Sequence, residues 1–228
     1  MMRSLLIPLG IALSIIIASE SALGKSTKRT GFNFGNSVTL IESEQPSIMA
    51  GSTDSKGKNT SNIQTIKPYV GYVFGDFLNL GLHMNIEKID NRSNLNGANE
   101  NEKIDSTRSS QINGGGLFGR FLFGEVLFIE SGAGFYERKT LVESEYVSNY
   151  TDGSFVGRRE ETKVRSTGLG YHFGIGLETP VAYNFFFTTS YFLKTYLLKP
   201  VEVIGTENKD PTIDNTREVS FGFSYYYQ

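Results

Sequence analysis

Along most of its length the chain alternates apolar and polar residues with a period of two, the pattern of a strand with one greasy face and one polar face. The clearest run places Leu78, Leu80, Leu82, Met84 and Ile86 on one face and Asn79, Gly81, His83 and Asn85 on the other. A second sets Leu169, Tyr171, Phe173, Ile175 and Leu177 against Gly168, Gly170, His172, Gly174 and Gly176. A third sets Val219, Phe221, Phe223, Tyr225 and Tyr227 against Ser220, Gly222, Ser224 and Tyr226. Weaker alternation marks Phe32 to Leu40, Ile66 to Phe74, Ile112 to Phe118, Leu127 to Phe135 and Phe185 to Leu197. The pattern predicts eight strands.

The links between them alternate in length. Tight turns are expected near Gly75-Asp76-Phe77, Phe121 to Gly124 and Pro180 to Asn184, and long polar loops at about 43 to 62, 88 to 109, 138 to 161 and 199 to 216. Structureless loops of ~20 residues are uncommon in a compact soluble domain. Outer-membrane barrels, in contrast, combine short periplasmic turns with longer external loops. The predicted fold is therefore all-β: an eight-stranded antiparallel up-and-down transmembrane β-barrel with both termini on the tight-turn side.

A soluble barrel would share the strand count, so the decision rests on which face points outward. The interior of an eight-stranded barrel is only just wide enough for side chains. The Gly, Ser, Thr and Asn of the polar faces fit such a lumen, and the bulk of the apolar faces is expected to meet lipid. Aromatics crowd the tight-turn side at Tyr72, Phe74, Phe77, Phe121, Phe123, Tyr183, Phe185, Phe186, Phe187, Tyr225, Tyr226 and Tyr227, as in an interfacial girdle.

At the N-terminus, Arg3 precedes an uncharged Leu- and Ile-rich run from Ser4 to Ala18, followed by Ser19, Ser21, Ala22 and Gly24. That is the order of a secretory signal peptide, and the run falls short of the ~20 residues of a spanning helix. The domains expected are a signal peptide at 1–24 and a barrel at 25–228, with cleavage before Lys25 as the first choice and before Leu23 as the second. With no cysteine, thiolate metal sites and disulfides are excluded, and a formal charge of −2 gives no electrostatic case for nucleic acid.

On the polar faces lie Lys67, His83, Glu87, Glu130, His172, Glu178, Lys194 and Glu218. A charge buried in a narrow barrel is costly unless paired, so these are expected to form an ion-pair and hydrogen-bond network. The rival reading is a lumen that conducts ions. No catalytic, cofactor or metal set is expected: only His83 and His172 are available as general bases, and Gly114-Gly115-Gly116 lacks the following Lys of a phosphate loop. In the expected loops, Arg158, Arg159, Lys163 and Arg165 mix with Glu160 and Glu161. They suit either contact with lipopolysaccharide phosphates or an internally paired rim.

Taken with the terminal aromatics Phe221, Phe223, Tyr225 and Tyr227, the whole barrel region resembles the small outer-membrane β-barrel superfamily: the OmpX/Ail-like and opacity-type proteins and the transmembrane part of OmpA. The resemblance implies an outer-membrane location with periplasmic termini, a lipid and lipopolysaccharide environment, and surface or envelope protein ligands at the loops. It also implies a terminal strand read by the barrel-assembly machinery, although Gln228 follows the last aromatic where members end on the aromatic itself. Three roles follow: structural and surface interaction through the loops, a narrow channel, or a lipid A-modifying enzyme. The last lacks the His-x-Ser-Asn arrangement of the deacylases, since His172 lies between Tyr171 and Phe173.

Overall fold

A computed structural model describes residues 29–48, 56–96, 102–124, 126–149, 155–204 and 211–227. The expected signal peptide lies outside the described residues. The strands are β1 (Gly31–Ile48), β2 (Lys56–Phe74), β3 (Leu78–Asn96), β4 (Glu102–Phe123), β5 (Leu127–Asn149), β6 (Phe155–Ala182), β7 (Phe185–Ile204) and β8 (Thr212–Tyr227). Each pairs antiparallel with its sequence neighbours, and β1 pairs with β8, so the sheet closes into an eight-stranded barrel.

The tight turns follow from their residues. Gly75 and Asp76, in the three-residue link between β2 and β3, both adopt positive φ, 57° and 66°, the backbone that lets a tight turn follow the right-handed twist of its strands. Glycine adopts it without steric cost and Asp tolerates it. The Phe77 N–H closes the turn on the Phe74 carbonyl at 3.3 Å. Asn184, at φ 61°, plays the same part between β6 and β7.

On the outer wall Leu80, Leu82, Met84, Ile86, Leu169, Phe173 and Phe221 are all exposed, while Glu87, Glu130, Glu178 and Lys194 are buried inside. This inversion of a soluble protein fits a wall solvated by hydrocarbon. Among the described residues no helix is long and apolar enough to cross a membrane; the strands cross it.

Three features differ from the expectation. First, β4 turns Ile112, Phe118 and Leu122 inward and Leu117, Phe121 and Phe123 outward. Both parities of β4 are apolar in sequence, and Arg120, which shares the inward parity, decides the phase. Second, Phe186 and Tyr226 belong to the interior and not to the girdle. Strict alternation sends the middle residue of each aromatic triplet inward, where the two rings meet edge to face at 5.1 Å with Val73, Leu122 and Phe128 around them. Bulky rings fit because β6 is glycine-rich. A Cβ on Gly170 would collide with Tyr136 and Tyr196, and one on Gly176 with Phe128.

Third, most of the stretches expected as loops are strand. The register between β5 and β6 runs unbroken from Leu127↔Leu177 to Asn149↔Phe155, and between β3 and β4 from Leu78↔Phe121 to Asn96↔Lys103. Polar Ser, Thr and charged residues carry no greasy face to advertise alternation, yet they continue a paired ladder readily when both faces meet water. At ~3.3 Å per residue and a tilt near 40°, the β5–β6 hairpin rises about 30 Å above the last apolar rung.

Leu82→Arg, on the lipid face midway along the apolar part of β3, should destabilise the barrel by about 2–4 kcal/mol, while Leu82→Phe should cost under about 1.5 kcal/mol. Reversible urea unfolding in phospholipid vesicles measures both; equal effects would mean that this face does not meet hydrocarbon.

Candidate functional site

The inward faces converge on Glu130. Lys67 Nζ donates to Glu130 Oε1 at 2.5 Å, and Arg120 donates to Oε2 from Nε and Nη2 at 2.9 and 2.7 Å. His172 Nε2 lies 3.0 Å from Oε1 and 3.1 Å from Lys67 Nζ. Arg120 then extends the network downward: its Nη1 donates to Glu178 Oε1 at 2.6 Å, and its guanidinium lies over the Phe128 ring at 4.2 Å. Glu178 also accepts from Tyr226 at 2.6 Å and Ser224 at 3.0 Å, and Arg29 Nη1 approaches to 3.6 Å.

A second cluster sits toward the long-strand end. Lys194 donates to Glu218 at 2.7 Å and to Glu87 at 3.3 Å. Tyr196 donates to Glu87 at 3.0 Å, and Thr65 to Glu218 at 3.2 Å. Between the clusters His83 Nε2 lies 2.9 Å from the Tyr136 hydroxyl, and the His83 and His172 rings meet edge to face at 4.9 Å. All eight residues expected on the polar faces are therefore inside and in contact with one another or with a shared partner.

Arg120 is the residue the sequence reading missed, together with Arg29 and the tyrosines Tyr69, Tyr136 and Tyr196, while Tyr226 was read both on a polar face and in the girdle. The signal for Arg120 was available: two residues after Phe118 and two before Leu122, it has the parity of the buried positions of β4. It was hidden because Ile112 and Phe118 look like lipid-facing residues.

Between Lys67, His83, Tyr136, His172 and Lys194 lies a cavity of about 10 Å³, room for one water at most. Above, Ile112, Tyr136, Tyr196 and Leu198 form an apolar layer. Over this layer opens a vestibule of about 360 Å³, lined by Asn91, Arg108, Ser110, Arg138, Asp214 and Thr216. Arg138 is paired with Asp214 and donates to Thr212 at 2.9 Å.

Outside the barrel, just above the apolar band, Lys139, Leu141, Lys163, Arg165, Glu202 and Ile204 surround a groove of about 410 Å³. Of the four basic residues expected there, Lys163 and Arg165 share the groove, Arg159 lies higher, and the side chain of Arg158 is outside the described residues. Each described one has a carboxylate: Lys163 with Glu161 at 2.6 Å, Arg165 with Glu137 at 2.5 Å and Arg159 with Glu143 at 2.9 Å. The Lys163 ammonium, held by Glu161, is pushed above its ordinary pKa and the Glu161 carboxyl below its own. Nearby, hydrogen bonds from Lys88 and Ser109 lower that of Asp90.

No protein-family model matches the chain, and no curated protein matches it in sequence. Among solved structures it is similar to Ail, the attachment invasion locus protein of Yersinia pestis, at 13% identity over 86% of this chain and 99% of that one, with a TM-score of 0.36. It is also similar to the outer membrane protein OprG from Pseudomonas aeruginosa, at 12% identity over 87% and 98%, TM-score 0.37. A third is the outer membrane protease OmpT from Escherichia coli, at 9% identity over 86% and 94%, TM-score 0.41. At such scores the fold is carried by the strand pairing and the inverted burial, not by these likenesses.

Removing Glu130 strands Lys67, takes the carboxylate from His172 and leaves Arg120 with Glu178 alone. Glu130→Ala should cost about 3–5 kcal/mol, the range for breaking a buried ion pair from one side. Lys139→Ala, an exposed cation 3.9 Å from Glu137, should cost under about 1 kcal/mol. Denaturant titration of both variants in detergent micelles decides whether the interior network or the rim holds the barrel.

Proposed function

We propose that the chain is an outer-membrane barrel whose lumen is a structural plug and whose activity lies in the polar wall and turns that rise above the membrane. One observation carries this reading: buried, paired side chains from β2, β4, β5, β6, β7 and β8 meet inside the barrel, and the cavity between the two ionic clusters is about 10 Å³. A solute path would require breaking buried ion pairs, whereas the wall above the apolar band offers a large ordered polar surface at no such cost. Its functional class is structural and surface interaction: adhesion, envelope integrity or contact with envelope proteins.

Lipopolysaccharide contact is proposed for the outer-wall groove. Lys139 and Arg165 share one rung just above the apolar band, and Leu141 and Ile204 flank Lys163 on the next rungs out, so the groove joins three cations to apolar surface of the kind a lipid phosphate and its chains would meet. Arg158 and Arg159 belong to the same reading higher up the β5–β6 hairpin. Phe221, Phe223, Tyr225 and Tyr227, all exposed on the outer face of β8, are proposed as the strand that the barrel-assembly machinery reads.

Purified barrel in planar bilayers should give no resolvable ion current, and cells carrying it should adhere to host-cell layers or to immobilised lipopolysaccharide. Because Glu143 pairs with Glu161, replacing residues 144–160 by Asn-Gly shortens β5 and β6 symmetrically. The shortened barrel should fold and lose at least tenfold in adhesion. A stable current from the intact protein, lost in Lys194→Met, would transfer the function to the lumen.

Tyr225→Ser combined with Tyr227→Ser should lower the folded, heat-modifiable fraction in the outer membrane several-fold while export across the inner membrane continues. Immunoblots of boiled and unboiled membrane fractions read this directly.

A further inference from the structure

The vestibule over the apolar layer has a wall of two unlike rows. On β2, β3 and β4 the inward residues Ile63, Ile89 and Ser110 pair rung to rung. One inward step farther out, Ser61, Asn91 and Arg108 do the same. An apolar strip therefore lies directly beneath a strip of hydroxyl, amide and guanidinium groups. Ile112 belongs both to the lining and to the apolar layer below, so the vestibule rests on that layer.

The polar groups facing this wall are already engaged. Arg138 and Asp214 hold each other, and Arg138 also donates to Thr212. Ser110 meets the Thr140 hydroxyl at 3.1 Å. Arg108 is different: it lines the vestibule and is exposed, with no ion pair among the described residues. The lining side chains thus carry two positive charges and one negative, an excess of one cation in a walled cavity whose low-dielectric sides focus its field. At about 360 Å³ the vestibule is at the small end of the ~300–1,000 Å³ of ligand pockets. It suits one sugar-sized molecule.

We propose that the vestibule binds a small polyhydroxy monocarboxylate, with the chemistry of a sugar acid. The Arg108 guanidinium takes the carboxylate through paired N–H donors, which its planar fork provides. Asn91 and Ser61, in line beside it, exchange hydrogen bonds with the hydroxyls, and the C–H groups of the ligand lie on Ile63 and Ile89. Asp214, across the cavity, accepts from a far hydroxyl and repels a second acid group, which sets the preference for one carboxylate. A plain alkyl acid would displace the water on Asn91 and Ser61 without replacing its hydrogen bonds, and a neutral sugar would do the same to Arg108. The site goes beyond the surface-interaction reading, and nothing in it requires passage through the barrel.

D-Gluconate is the probe, D-glucose its uncharged counterpart and hexanoate the acid without hydroxyls. With isotopically labelled isoleucine methyls, titration of the folded barrel in micelles should move the Ile63 and Ile89 signals saturably with gluconate. Glucose and hexanoate should bind at least about tenfold more weakly, as should gluconate to Arg108→Gln, each lacking a charged or hydroxyl hydrogen-bond partner. Arg108→Lys should keep part of the affinity. Arg217→Gln, which removes an exposed cation of β8 that does not line the vestibule, should keep all of it. Asp214→Asn should turn the preference toward glucarate, which carries a carboxylate at each end of the same chain. Heat-modifiable migration on gels checks that every variant is folded. Equal affinity for gluconate and glucose, unchanged affinity in Arg108→Gln, methyl shifts confined to isoleucines outside the vestibule, or no saturable shift at all overturns the proposal. Adhesion and bilayer current are measured separately, so failure of this site leaves the surface reading standing, and failure of that reading leaves this site.

Discussion

A peptide group without a partner in hydrocarbon costs several kcal/mol, and this constraint governs where the barrel must be closed. The seam between β1 and β8 obeys it closely. Its paired part, Phe32 to Val38 against Phe221 to Tyr227, coincides with the exposed Phe32, Phe34, Val38, Phe221, Phe223, Tyr225 and Tyr227 of the outer wall. Beyond Val38 the outer wall is mixed, with Leu40 and Ile213 exposed among polar residues, and there the ladder between β1 and β8 ends. Closure is thus complete along the rungs where the seam's outward residues are predominantly aromatic and apolar.

Within the closed ring the next demand is volume. Eight strands leave little interior space, and the chain fills it by setting large side chains on some strands against glycines on others. Tyr136 and Tyr196 cross the space left by Gly170, and Phe192 that left by Gly174. The ions occupy what remains, and Glu130 is the carboxylate on which the two β-hairpins carrying Lys67 and Arg120 are fastened to His172. Packing and electrostatics act together here, because the glycines bring the strands' cargo close enough to pair.

Much of this was legible in the sequence, and the limits are physical. β3, β6 and β8 separate greasy and polar residues cleanly, so their faces, and Glu87, His172 and Glu218 on them, could be read directly. β4 could not, since Leu117, Phe118, Phe121 and Leu122 offer both parities, and only pairing across the closed ring selects the one that buries Arg120. Strand ends were equally opaque. Alternation in sequence records a difference between two environments, and along residues 141–145 both faces are half-buried or exposed, so little contrast is written there even though the ladder continues.

The interior clusters contain four cations, Arg29, Lys67, Arg120 and Lys194, and four carboxylates, Glu87, Glu130, Glu178 and Glu218. An electric potential across a membrane does work only on net charge that moves, about 2.3 kcal/mol per elementary charge per 100 mV. Displacing this plug as a unit transports equal numbers of positive and negative groups, so a transmembrane field has almost no leverage on it.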